Sequence, residues 1–135
     1  MTRKEIYKDI RRIALGEGAE GEPMFSSVAW WNKNIEFLEE DTPFDFPALF
    51  IEFGTVDYAP QKGDCELGQC DVLLHVVVDG RESDLFGFID SLDRCERLIS
   101  ALRASPWYLR RLQSVSNHDH GEIIEFLEVV KARIF

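Results

Sequence analysis

Between residues 84 and 104, seven apolar side chains recur at the period of an α-helix. They are Leu85, Phe88, Ile89, Leu92, Cys95, Ile99 and Leu102, spaced 3, 1, 3, 3, 4 and 3 residues apart. Ser83 or Asp84 can cap the start, and Pro106 lies just beyond the end. Each such side chain gains about 1.5–3 kcal/mol when it leaves water. A stripe this wide cannot face solvent along its length, so the rest of the chain must supply a broad apolar floor, and strands supply floors.

The clearest strand is Cys70–Asp79. Val72, Leu74, Val76 and Val78 alternate there with Asp71, Leu73, His75 and Val77. Both faces are at least partly apolar, which predicts a strand inside its sheet. Ala48–Phe53 reads as a second strand, with Leu49, Ile51 and Phe53 on one face. Residues 54–64 read as irregular, with Pro60 and Gly63 as breakers. Residues 110–116 and 122–135 read as a closing hairpin turned by Asn117–Gly121.

At the other end of the chain, residues 2–15 predict an amphipathic helix. Thr2 and Glu5 fit a capping box, and Ile6, Ile10, Ile13 and Ala14 share a face. Its outer face is basic (Arg3, Lys4, Lys8, Arg11, Arg12) and reads as solvated. Gly16 and Gly18 end it, and 16–23 is a polar loop.

Residues 24–39 fit two readings. Phe25, Val28, Trp30 and Trp31 favour a strand, a turn at 32–34 and a second strand over 35–38. Val28, Trp31, Ile35 and Leu38 also fit a helix over 26–39. Residue type favours the strands. Pro43 and Pro47 then keep 41–47 extended. The order is helix, two to four strands, long helix, hairpin. It predicts one α+β domain over 1–135, with an antiparallel sheet, one long helix packed across it and a short N-terminal helix.

Charge narrows the partners. The chain carries 25 acidic and 15 basic side chains, a net charge of −10. That sign opposes binding to phosphate backbones and anionic membranes. No stretch approaches the roughly 20 apolar residues of a membrane span. The opening residues MTRKEIYKDIRRIAL contain no apolar signal core. Cys65, Cys70 and Cys95 are few and odd in number, which fits free thiols in a reducing compartment.

Candidate chemistry is sparse. His118, Asp119 and His120 form the one local cluster of potential ligands, and a polar turn explains the same letters. Cys65 and Cys70 with His75 or His118 would make an incomplete zinc set. There is no nucleophile elbow and no phosphate-binding loop. The expectation is therefore no catalytic residue, no cofactor and no metal. The aromatic side chains say more. Trp30, Trp31, Phe37, Phe44 and Phe46 crowd into a proline-held segment with acidic neighbours, which predicts a protein–protein contact.

Five segments, FPALFIEF (46–53), DVLLHVVVD (71–79), DLFGFIDSLDRCERLISAL (84–102), RRLQSVSNHD (110–119) and GEIIEFLEVVKARIF (121–135), come in an order that resembles the bacteriophage tail terminator or tail completion (head–tail joining) family. The wording FLEEDTPFDFPALFIEFG (37–54) also looks like prophage proteins of Bacteroides-type bacteria. The resemblance implies a non-enzymatic structural protein. It would form a ring of identical copies, often six, that meets tail-tube and head-connector proteins. It would reside in the host cytoplasm during assembly and then in the virion. The tandem-Trp segment 24–45 and the loop 16–23 depart from the bare family pattern. Two other classes remain: a binding adaptor unrelated to phage that uses the same aromatic patch, and a small enzyme built on His118, Asp119 or His120.

Overall fold

A computed structural model of the protein describes residues 1–17, 23–31, 44–60, 66–80, 85–120 and 123–134. In chain order the elements are α1 (Arg3–Ala14), β1 (Ser27–Trp30), β2 (Ala48–Pro60), β3 (Glu66–Asp79), α2 (Leu85–Leu102), β4 (Tyr108–His120) and β5 (Ile123–Ile134). The five strands form one mixed sheet in the order β1-β2-β3-β5-β4. With the two helices among the described residues, it makes an α+β fold.

The apolar alternation of β3 places it where the sequence predicts, between β2 and β5. Val72, Leu74, Val76 and Val78 face the helices and are buried. From α1, Ile6, Ile10 and Ala14 enter the same core, and from α2 Cys95, Leu98, Ile99 and Leu102 do so. Trp107 and Phe126 complete it. Thr2 caps α1 by accepting from the Glu5 backbone N–H at 3.2 Å.

One buried-side tie crosses most of the chain. Asp9 on α1 accepts from the Ser105 hydroxyl and from the Trp107 indole N–H, both at 2.7 Å. It also pairs with Arg12 at 2.7 Å. The first helix is thus fastened to the connection between α2 and β4.

Several expectations need correction. The sheet is not purely antiparallel, because β1 runs parallel to β2, with Ser27 opposite Ala48 and Trp30 opposite Ile51. The long 31–47 connection makes this possible, since parallel neighbours need a crossover that a tight hairpin cannot provide. Residues 54–60 are strand and not irregular. A register shift between Phe53 and Val56 absorbs Gly54, and pairing resumes to Pro60 opposite Glu66. A side chain at Gly54 would come within 3.1 Å of Leu73, so glycine suits the bulge.

The predicted turn at 117–121 is also displaced. Asn117–His120 belong to β4, with a register shift between Asn117 and His120. The long partner β5 extends the ladder past those polar letters. The stripe on α2 is rotated as well. Ile89 and Leu92 are exposed, whereas Ser91 and Leu98 are buried. Ser91 satisfies its hydroxyl on the Gly87 carbonyl at 2.9 Å, so it fits the inner face at no loss of hydrogen bonding. The expected second strand at 35–38 lies outside the described residues.

Candidate functional site

Residues of α1 and α2 share a core with one face of the sheet, and the other face carries the most unusual constellation. Its centre is His75, the single polar side chain in the run LLHVVV. Strand alternation turns it away from the helices together with Leu73 and Val77. Register then places Phe50 of β2 opposite His75, with Leu127 of β5 on its other flank. Glu52 and Glu125 reach the ring from these two neighbouring strands. His75 Nε2 lies 2.8 Å from Glu52 Oε2, and Nδ1 lies 3.3 Å from Glu125 Oε2. His75 and Glu125 are both buried.

An indole closes the cluster. Trp31 stacks on the imidazole with centroids 3.8 Å apart and planes 4° apart. Its backbone N–H donates to the Ile51 carbonyl at 2.9 Å, which fixes it just past the end of β1. Phe50 meets Trp31 edge-on at 6.1 Å and Phe44 edge-on at 4.9 Å. Phe44 in turn meets Phe46 at 5.4 Å. Ala48, Phe50, Val77 and Ile123 form a small second core beneath these rings.

A neutral imidazole has one N–H to donate. Both carboxylate contacts are therefore hydrogen bonds only when the ring carries two protons, or when a glutamate supplies one. Both ring nitrogens are occupied by carboxylates. Among the described residues no group of three or more His, Cys, Asp or Glu side chains is arranged to hold a metal ion. The cluster sets an imidazole between two carboxylates under a stacked indole.

The aromatic residues singled out in the sequence have diverged in role. Trp31, Phe44 and Phe46 are half-buried and pack on the molecule's own sheet. Trp30 points the other way, toward the helix side, and is 61% exposed. Phe37 lies outside the described residues. The backbone of His118, Asp119 and His120 belongs to β4, and their side chains lie outside the description, as does Cys65. Cys70 and Cys95 are buried free thiols. Burial pushes the Cys95 thiol up to about 12 and raises Cys70 as well. Sequence reasoning missed Glu52 and Glu125 because their meeting depends on register between three strands. The available signal was His75 itself: a histidine inside an apolar strand needs buried partners.

Partial burial raises the Asp9 carboxyl, but hydrogen bonds from Ser105, Arg12 and Trp107 outweigh it and hold the group below its ordinary value. Arg111 spans Glu96 on α2 at 2.8 Å and Glu128 on β5 at 2.9 Å, binding helix to sheet at the β4 margin. Compared with known proteins, the chain matches no family model and no curated sequence.

Proposed function

We propose that the protein is a structural component of a phage or prophage head–tail junction. It assembles as a ring of identical copies that terminates or completes the tail, and it catalyses no reaction. Its partners are further copies of itself, the tail-tube protein and the head connector. The fold reading that goes with this has α2 lying across the sheet, as the tail terminator resemblance implies.

The observation that carries the proposal is the pair of dissimilar open margins on one sheet. β1 covers β2 only from Ala48 to Ile51, so among the described residues β2 has no strand neighbour on that side from Glu52 to Pro60. At the opposite margin, β4 likewise has no outer neighbour among the described residues. A ring closes through two different patches on each copy, and unequal margins are the minimum such a subunit needs. The exposed Trp30 beside the first margin adds an aromatic anchor of the kind that dominates interface energies.

Native mass spectrometry of the purified chain tests the reading. A closed oligomer of one size is expected. A strict monomer at high concentration, with tail-tube protein present, would sink it.

A further inference from the structure

The molecule is electrically polar along its strands. Register brings the end of β2, the start of β3, the start of β4 and the end of β5 together: Pro60 faces Glu66, Gly68 faces Ile134 and Tyr108 faces Ala132. The start of α1 points to the same end, because its last turn is tied at the other one, where the Ala14 carbonyl accepts from the backbone N–H groups of Met24 and Phe25 just before β1. The last turn of α2 lies there too, since only residues 103–107 separate it from Tyr108.

Five exposed cations gather at this end: Arg3, Lys4, Arg103, Arg110 and Arg133. They come from α1, from the residue just after α2 and from both strands of the closing hairpin, so no single run of sequence announces them. Lys4, Arg103, Arg110 and Arg133 make no ion pair among the described residues. The Asp57 and Asp71 carboxylates at this end are drawn to Lys131. Two nearby acids are exceptions: Glu5 in the first turn of α1, and Glu96, held low by Arg111 with help from Arg103.

Local electrostatics does not favour this placement. The positive pole of a helix lies at its N-terminus, where Arg3 and Lys4 sit, and it prefers acids. Residues that break a local rule without local compensation point to a contact elsewhere. The opposite end of the sheet holds exposed Asp45, Asp90 beside Arg94, and Glu17 in a loose 3.9 Å pair with Arg11, while Arg12 there is matched by Asp9. In a chain of net charge −10, five cations at one end leave the surplus acid on the remainder.

We infer that the cationic end of the sheet is a docking surface for the acidic end of a second copy of this chain. Opposite ends of one molecule make a heterologous, head-to-tail contact, the type that closes into rings. The inference rests on the ring reading and adds to its sheet margins a second, charged contact between strand ends. Complementary ends steer the approach and set the register, and like ends repel.

A charge-swap pair tests it. One variant carries Arg103→Glu, Arg110→Glu and Arg133→Glu. The other carries Glu17→Lys, Asp45→Lys and Asp90→Lys. All six side chains are exposed, and circular dichroism confirms that each variant folds. In sedimentation at low salt, wild type is expected to associate and to dissociate as salt rises. Each variant alone should associate about a hundredfold more weakly or worse, because like charges then face each other. An equimolar mixture of the two should recover association. If the cationic-end variant assembles like wild type, the inference falls while the ring reading stands. If both variants fail alone and also fail when mixed, the contact does not join these ends and the inference falls. If wild type is monomeric throughout, both fall. A wild-type monomer that instead binds a DNA duplex, with affinity dropping as salt rises, replaces the second copy with nucleic acid and overturns the inference.

Discussion

The two sides of the sheet are built on different principles. On the helix side, β3 presents Val72, Leu74, Val76 and Val78 to aliphatic and aromatic partners, and volume decides what fits. On the other side the same strand presents Leu73, His75 and Val77, and the fit depends on hydrogen bonds to Glu52 and Glu125 under a stacked Trp31. The first side can exchange residues of similar size. The second side is intolerant of losing one partner and tolerant of losing all of them, because the cost lies in the polar group left behind.

The largest effect should come from the helix side. Trp107→Ala removes a fully buried indole and takes one of its donors from the Asp9 carboxylate, which keeps Ser105 and Arg12. A loss of about 3–5 kcal/mol is expected, read as a lower midpoint in urea unfolding. A change under about 1 kcal/mol would show that this side is not close-packed.

The next test sits on the second side. Glu125→Ala should cost about 1–3 kcal/mol by stranding the buried His75 nitrogen. Replacing His75 and Glu125 together with Leu should cost less than the two single replacements summed. A double-mutant cycle with no coupling would erase the contrast between the sides.

The third prediction concerns acid. Asp9 is held below its ordinary value of 3.8 in the folded protein. Its contribution to stability is therefore complete above the unfolded value and fades as pH falls through the lower, folded one. Stability measured from pH 6 down toward pH 2 should drop in that range, and Asp9→Asn should remove part of the drop. An unchanged acid limb in the variant would mean that the Ser105, Arg12 and Trp107 contacts carry no net weight.

The smallest effect is chemical. Cys70 and Cys95 are both buried on the helix side, with thiols raised by burial. In a Cys65→Ser background neither should react with a thiol reagent at neutral pH until denaturant is added. Rapid labelling of either would show that the helix side opens locally.

Much of the helix side was legible in the sequence, because periodicity is local. The face of α1 and the central position of β3 follow from spacing alone. The rotation of α2 was not legible. Ile89, Leu92 and Leu98 are equally apolar as letters, and only packing against a particular sheet decides which turn inward. The second side was legible only as a question posed by His75. Its answer needs three strands in register, which no window of sequence contains. The tandem tryptophans illustrate the same limit: adjacent residues on a strand face opposite ways, so Trp31 closes the His75 cluster while Trp30 stays exposed.

The order of the strands also bears on how the molecule can be made. β5 lies between β3 and β4, and β4 has no other strand beside it among the described residues. As a nascent chain grows, β4 is finished before the strand it must pair with exists. β3 meanwhile keeps one margin open through all of α2 and β4. The sheet therefore stays open until β5 pairs with both neighbours, and a product that stops short of Ile123 would leave two strand margins unpaired at once, a ready substrate for aggregation or chaperones.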